Sequence, residues 1–521
     1  MPVPQHTIIQ LSSPTTFTAS ERIASHPGSN APVRLTGLDD AGEPFLSGGR
    51  VLRGLYPGCA AAVREVLAIC EANDLFRYGI VPTRELREDP HPELGYEAVL
   101  EHDRVPFITY PHEWPASMLR EAALFHVSLF ERLHDYGLTL KDWHPWNILF
   151  DATTPVFVDF TSIIPIDSLP LQEYLSRGPR PRAGSSLDAA SIAVREMHRL
   201  MFEPYFGLPL AMMQQGRHAE ARTRIFETTL NAAESVISRS EAFAGDRAAR
   251  LRYEIEDRFL RGTMSEKGTR KRKFFARIRK SIDDMNVAVA GSAYSTYYEE
   301  KSEAFAAEPV PEWTSKQHVV HDAILRFAPR TLLDLGSNTG WFSMLAAKLG
   351  CSVVAVDVDE ACIDRLYHTA KREALPILPL VVNLSAPLPE RHPRAYADEP
   401  SRSLLGSQSP LISSPVGRLR CDMVLALAVV HHLALGQALS FDRIASILGD
   451  LAERYLCVEF VAIDDRMIAG DPSFFPAYDA ARSEFGWYTE ENFITSLREH
   501  FQAVEVLPSY PDSRTLLICS K

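Results

Sequence analysis

The sequence predicts an α/β fold in the C-terminal half of the chain and a smaller α+β unit ahead of it. Three observations carry this expectation. At 521 residues the chain is too long for one hydrophobic core, given about 150 residues per domain. From Pro329 onward, apolar strands alternate with helices after a glycine loop. Between about 50 and 136, helical and strand-like runs alternate and end in a long amphipathic helix. With 46% hydrophobic and 23% charged residues, the composition is that of globular protein, not of disordered or fibrous chain.

Residues 1–45 mix Pro, Ser, Thr and Gly with little periodicity and read as an extended arm or irregular strands. Helical spacing follows over 60–73, then strand-like runs over 78–86, 96–102 and 105–110. Over 116–136, Leu119, Ala122, Ala123, His126, Leu129, Phe130 and Leu133 fall on one helical face, and Gly137 stops the helix. Two short apolar runs, Ile148–Phe150 and Pro155–Phe160, flank a turn at Asp151–Thr154. From 186 to 260 the pattern is mainly helical. The run Lys267–Lys280 carries eight basic residues and no acid, with Phe274, Ile278 and Ile282 at helical spacing. It reads as the solvated face of a linker helix.

In the C-terminal half, strands are expected at 331–335, 352–357, 377–382, 422–428 and 455–461, with helices between most of them. The Pro-, Ser- and Arg-rich stretch 386–418 breaks that rhythm and reads as a long surface loop near a substrate mouth.

The net charge of -13 opposes a long phosphate-backbone interface, so bulk nucleic acid is not an expected partner. Seven cysteines lie scattered without a Cys-x-x-Cys pair, and no His cluster has metal-ligand spacing. A reduced, metal-free cytoplasmic protein is expected. No basic segment with an apolar core opens the chain, and no run reaches the roughly 18 to 20 apolar residues that span a bilayer.

The most informative segment is Asp334-Leu335-Gly336-Ser337-Asn338-Thr339-Gly340, a strand end running through a glycine loop into a helix. Glycine permits a tight turn and close ligand approach, and the N–H groups at a helix start suit an anionic group. Asp357 ends the next strand at about the separation where an acid meets ribose hydroxyls in nucleotide-binding sheets. Gly-x-x-x-Gly after an Asp, in place of Gly-x-Gly-x-x-Gly, favours S-adenosylmethionine (SAM) over NAD.

Over about 300–521 the sequence resembles the class I SAM-dependent methyltransferases, through LLDLGSNTGWFSMLA, VVAVDVDE, LPLVVN, CDMVLALAVVHHL, YLCVEFV and RTLLICS. The resemblance implies a Rossmann-like, seven-stranded sheet whose last strand is antiparallel. It places Gly336 and Gly340 beside the methionine part of SAM, Asp357 on the ribose and Asn383 near the adenine, with Ser337 and Asn338 completing the loop. Asp359 and Glu360 are expected to be exposed helix-start residues. Methyl transfer needs an oriented nucleophile and sometimes a base. His431 and His432 are the candidate bases, although one can instead cap the next helix and the other pack on the sheet. Glu459 can orient a substrate hydroxyl or form a structural ion pair. No Asn-Pro-Pro-Tyr sequence follows the fourth strand, which favours an oxygen acceptor on a small molecule or sugar.

In the N-terminal half, Leu140-Lys141-Asp142-Trp143-His144-Pro145-Trp146-Asn147 precedes Val156-Phe157-Val158-Asp159-Phe160. Asp142, Asn147 and Asp159 have the order and gaps of a phosphoryl-transfer base and two metal ligands. The segment resembles the protein-kinase-like superfamily, especially aminoglycoside- and choline-type phosphotransferases, over roughly 50–260. That implies ATP and Mg as ligands. The departures are Thr161 in place of a usual Gly, no obvious phosphate-covering glycine loop, and no lysine before Lys141. Arg84 or Arg87 is the candidate substitute, and a degenerate fold follows if neither serves. Alternatively, Asp142 and Asn147 cap a turn and Asp159 ends a strand.

The whole chain also resembles a group of bacterial nodulation-type methyltransferases, through Glu113-Trp114 with Met118-Leu119, Leu140-Lys141-Asp142, and the Asp334–Gly340 loop. The expected organisation is an arm over 1–45, a kinase-like, perhaps degenerate, α+β domain over 46–262, a basic helical linker over 263–300 and a methyltransferase domain over 301–521. The expected function is SAM-dependent O-methylation of a small-molecule or saccharide acceptor in a bacterial biosynthetic pathway, with the kinase-like domain recognising acceptor or partner. The alternative is an ATP-dependent small-molecule phosphotransferase with a SAM-binding sensor domain. A third expectation is a non-catalytic assembly protein in which both folds dock.

Overall fold

The computed structural model describes residues 31–35, 39–141, 144–168, 198–230, 239–244, 246–263, 268–292, 294–296, 305–383, 415–469 and 485–521. Two sheets organise them. The first is antiparallel and five-stranded: β1 (Val33–Arg34), β2 (Gly42–Ser47), β3 (Arg50–Leu55), β5 (Ala98–His102) and β4 (Thr83–Glu85), in that spatial order. Helix α1 (Ala60–Ala72) links β3 to β4 through an apolar face of Val63, Val66, Leu67 and Cys70. Strand β2 runs across position 45, so the segment read as an arm already supplies part of this sheet. Residues 105–110, expected to be strand-like, form no strand.

Helix α2 (Ala116–Asp135) buries Leu119, Ala122, Ala123, His126, Leu129, Phe130 and Leu133, the face that its spacing predicts. Gly137, at φ +72°, ends it in the left-handed conformation that costs glycine little. After β6 (Leu138–Leu140), the hairpin β7 (Ile148–Asp151) and β8 (Thr154–Phe157) turns through Ala152, and β9 (Ile163–Pro165) pairs back with β6. Helices α3 (Leu208–Met213), α4 (His218–Leu230), α5 (Arg247–Thr263) and α6 (Gly268–Asp283) follow.

Helix α6 carries the solvated basic face that its sequence predicts, with Arg272, Lys273 and Lys280 exposed, and buries the opposite face. Phe274, Phe275, Ile278 and Ile282 are buried in the main core, and the helix packs on α2. Arg279 pairs with Glu131, and Arg120 donates to the Ile282 carbonyl at 3.2 Å. Its basic residues dress one side of an amphipathic helix whose other side is core. Burying each such Phe or Ile contributes about 1.5–3 kcal/mol, enough to fix the helix against α2.

The second sheet has the order β12 (Ile377–Val381), β11 (Ser352–Asp357), β10 (Thr331–Leu335), β13 (Cys421–Ala426), β14 (Ala452–Val461), β16 (Arg514–Ser520), β15 (Ala503–Pro508). The first five are parallel, and β16 runs antiparallel to β14 and β15. Helices α7 (Ser315–Phe327), α8 (Trp341–Lys348), α9 (Glu360–Arg372), α10 (Phe441–Leu451) and α11 (Glu490–Arg498) accompany this sheet. Strand β13 is buried throughout and β10 to β12 nearly so, and near-continuous apolar strands are what a sheet covered on both faces requires. Strand order reverses at β10, which has β11 on one side and β13 on the other, and such a switch point opens a crevice beyond the strand ends. Of the stretch 386–418, expected as a surface loop, residues 386–414 lie outside the described residues; its end, Pro415–Arg418, is helical.

Candidate functional site

The crevice beyond β10 is built by the loop Gly336–Gly340. Gly336 and Ser337 both donate their amides to the Val356 carbonyl, at 2.9 and 3.1 Å, which folds the loop over the end of β11. Gly336 and Gly340 have φ of +67° and +84°. A Cβ at Gly336 would lie 2.6 Å from Val429, and one at Gly340 only 2.4 Å from Leu366. Both positions therefore need glycine for backbone conformation and for packing. Gly340→Ala is expected to cost about 1–3 kcal/mol, read as a lower urea midpoint with an unchanged slope.

Asp357 closes the site from the next strand. Its Oδ2 accepts the Asn338 amide at 2.8 Å and its Oδ1 the Asp359 amide at 2.9 Å. Burial raises its carboxyl above the ordinary range while those amides pull the other way. The Ser337 hydroxyl is buried and has no hydrogen-bond partner among the described residues, an orphan that a polar ligand in the crevice would satisfy. The first turn of α8, beginning at Trp341, has amides without intrahelical acceptors. Asp334 plays a different part: its Oδ2 accepts the Ser343 hydroxyl at 2.6 Å beneath the loop, and burial pushes its carboxyl up to about 7. Asn383 is exposed two residues past β12. Asn338 also donates its side-chain amide to the Tyr294 carbonyl at 3.1 Å, which brings the segment before α7 against the loop.

The three candidate catalytic side chains come from adjacent strands, His431 and His432 after β13 and Glu459 on β14, with different freedoms. Glu459 is fully buried and accepts from Lys316 Nζ at 2.8 Å and from the Ser509 hydroxyl at 2.6 Å. That is the ion-pair alternative for Glu459, and Lys316 had no signal in the sequence because it reaches β14 from α7. His431 and His432 have ring centroids 4.2 Å apart. Burial, then His432 and Arg514, push His431 down to about 2, which makes it a weak base. His432 is half-buried and lowered by burial alone. Asp465 accepts both Arg514 and Ser513 nearby.

Glu360 is corrected by the structure. It is buried, not exposed, and accepts the Ala116 amide at 3.0 Å and the Arg222 guanidinium, both from the N-terminal half. Asp359 caps α9 through the Ala361 amide at 2.9 Å and is half-buried.

Of the N-terminal candidates, Asp142 lies outside the described residues. Asn147 and Asp159 are brought together: Asn147 Nδ2 donates to Asp159 Oδ2 at 3.4 Å, and both side chains are buried. Arg84 is a surface residue paired with Glu101 and Asp103. The arginine beside Asp159 is Arg53, on β3, which donates to Asp159 Oδ1 at 3.2 Å and bridges to Asp39. Lys141 Nζ donates to Asp39 at 2.8 Å and to Asp40 at 2.6 Å, and Thr161 gives its one hydroxyl hydrogen to Asp39 while lying 3.1 Å from Asp159. Against the upward push of burial, Arg53, Lys141 and Thr161 hold the Asp39 carboxyl well below the ordinary range. Arg53 and Lys141 are thus held by carboxylates of the chain itself, and the cluster as arranged does not fit a metal-bound nucleotide. Among the described residues, no three His, Cys, Asp or Glu converge as a metal site.

Beside this cluster lies a cavity of about 180 Å³, walled by Val51, Leu149 and Val158 and, from the other half, by Arg418 and Arg420. His102 lines it. Thr83 Oγ1 donates to the Val81 carbonyl, so the 2.9 Å contact with His102 Nδ1 has the imidazole donating, and Nε2 is left as an acceptor. Burial and Arg53 push His102 down to about 3, which keeps it neutral.

No protein-family model matches the chain. The nodulation protein NoeA of Rhizobium meliloti (strain 1021) is 26% identical over 489 residues, 91% of this chain and 93% of that protein. Among solved structures, magnesium protoporphyrin IX methyltransferase (ChlM) from Synechocystis PCC 6803, with bound SAH, aligns over 39% of this chain and 83% of its own at 15% identity and a TM-score of 0.26. The bifunctional kinase-methyltransferase WbdD aligns over 43% of this chain and 42% of its own, at 15% identity and a TM-score of 0.28. TehB from Haemophilus influenzae aligns over 44% and 67%, at 16% and 0.27. No helix among the described residues is long and apolar enough to cross a membrane.

Proposed function

We propose that the chain is a SAM-dependent methyltransferase that methylates an oxygen of a small-molecule or saccharide acceptor, with the N-terminal half recognising acceptor or partner. The observation that carries the reading is the junction of Asp357 with the glycine loop. The half-buried Asp357 carboxylate at the end of β11 receives the Asn338 amide, beside two glycines whose positive φ folds the loop over the strand end and an orphan serine hydroxyl. The motif resemblance over 300–521 assigns that arrangement to SAM, and the sheet with its single reversed strand β16 is compatible with it.

SAM supplies an electrophilic methyl group on a sulfonium, so the protein's task is orientation and exclusion of water. Asp357 would accept the ribose hydroxyls, the first turn of α8 would face the cofactor carboxylate, and Ser337 would donate a hydrogen bond. Asp334 works through Ser343, holding α8 under the loop. His432 is the better candidate for taking a proton from the acceptor, because His431 is too weak a base. Glu459, tied to Lys316 and Ser509, fixes the end of β14 against α7.

The phosphotransferase alternative has Asn147 beside Asp159 in its favour and the Arg53–Asp39–Lys141 network against it. The cavity between the halves suits recognition instead: apolar side chains share its wall with Asp103, Arg104, Arg418, Arg420 and Glu453, and His102 Nε2 is a neutral acceptor in its lining. NoeA's description as a nodulation protein is consistent with a biosynthetic setting.

The test uses SAM labelled in the methyl group, incubated with the purified chain and fractionated small molecules, oligosaccharides, protein and nucleic acid. Label in the first two fractions, lost with Asp357→Ala, is the expected result. Label confined to protein or nucleic acid would overturn the acceptor class, and no transfer to any fraction would count against the activity.

A further inference from the structure

Helix α9 joins the candidate cofactor site to the N-terminal half. It begins three residues after Asp357, and the backbone between is bound at each step: the Asp359 amide donates to Asp357, and Asp359 then caps the helix. Nearly two turns further on, Leu366 occupies the space that a Gly340 side chain would need, so α9 also packs against the glycine loop. Any tilt of α9 is therefore felt at Asp357 and at Gly340 together.

The other side of α9 is held from a distance in sequence. Helix α2 starts after Pro115, which has no side chain that can cap it. Its orphan amides are capped instead from α9: Ala116 donates to Glu360, 244 residues away, and Ser117 donates from backbone and hydroxyl to Asp364, 247 residues away, all at 3.0–3.1 Å. Two helix starts, α2 and α9, thus share one carboxylate at their positive ends. Arg222 of α4 adds an ion pair to Glu360, with His218 3.6 Å from the same carboxylate. Lys371 pairs with Glu121 along the same seam at 2.8 Å.

We propose that this α2–α9 joint sets cofactor affinity: Glu360 and Asp364 are positioning residues through which the N-terminal half holds Asp357 and the glycine loop in their binding arrangement. The inference rests on the cofactor reading of that site. It makes the N-terminal half a regulator of cofactor binding, whatever it recognises itself.

The test is calorimetric titration of S-adenosylhomocysteine (SAH) into the full chain, unaltered and as Glu360→Gln, Arg222→Gln and the double variant, each checked for cooperative thermal unfolding. Arg326→Gln, which breaks the exposed Arg326–Glu505 pair, is the control. Affinity is expected to fall about fivefold or more in each single variant, less than additively in the double, and not in the control. Because coupling is reciprocal, SAH is also expected to slow hydrogen exchange at the Ala116 and Ser117 amides, which a merely structural contact would not show. Folded variants with unchanged affinity, together with unchanged exchange at those amides, would overturn the proposal. If a Glu360 variant fails to fold, Arg222→Gln and the exchange measurement on the unaltered chain decide. An unaltered chain that binds no SAH would overturn the cofactor reading and this inference together, which is distinguishable from binding that the variants leave intact.

Discussion

Arg53→Met is expected to destabilise the chain by about 3–5 kcal/mol, because it removes one partner of a buried ion-pair cluster and leaves charge behind. Arg53 is completely buried between Asp39 and Asp159. Asp39 would keep Lys141 at 2.8 Å, whereas Asp159 would lose the 3.2 Å bond from Arg53 and keep the Asn147 amide and the more distant Lys141 charge. Urea unfolding checks this. The double variant Arg53→Met, Asp159→Asn should recover part of the loss, since it removes the stranded charge. Equal midpoints for the unaltered chain and Arg53→Met would mean that the cluster is solvated in solution.

Acid is expected to act on the same half with comparable force. His102 and His126 are pushed down to about 3, and His112 and His144 to about 4, in each case by burial. Each folded pKa lies below the unfolded value of about 6.5. The unfolded chain therefore binds more protons, and the stability that these neutral side chains contribute is whole above about pH 6.5 and lost as pH falls toward 4. Each costs about 1.4 kcal/mol per pH unit in that window. Asp334 acts oppositely: its carboxyl, raised to about 7, gains a proton in the folded state first and adds stability as pH falls below 7. These histidines, with His431 and His432 lowered as well, outweigh the raised carboxyls of Asp334 and Asp357 and leave a net loss of several kcal/mol between about pH 7 and 5, measurable as a falling urea midpoint. A midpoint that holds constant over that range would show that the histidines reach solvent.

What was legible in the sequence divides along physical lines. The strand ends at Leu335 and Asp357, the loop between Gly336 and Gly340, and the face of α2 all follow from local patterns: apolar runs, glycine at positive φ, and helical spacing. Arg53 was not legible. Its partners lie 14 and 106 residues away, and an arginine in a β-strand looks like any surface residue until the fold buries it. Glu360 was misread for the same reason, since an acid in the first turn of a helix is ordinarily exposed and favourable there. Only the approach of α2 with its uncapped start, and of Arg222, turns it inward. The basic run in α6 was legible as a solvated face, but not the depth to which Phe274, Phe275, Ile278 and Ile282 enter the main core against α2, a contact with no mark in the local sequence.

The candidate catalytic residues show how far composition reaches. His431 and His432 were found by position after β13, but their unequal basicity comes from burial and from Arg514, which enters on β16. Lys316, which occupies Glu459, stands on α7 and has no spacing relation to β14.

The most direct test of the central claim is calorimetric titration of SAH into the unaltered chain and into Asp357→Ala. The account predicts saturable one-site binding by the former and affinity weakened at least about tenfold by the substitution, the loss of hydrogen bonds to a charged group. Equal binding by both, or none by the unaltered chain, would contradict it.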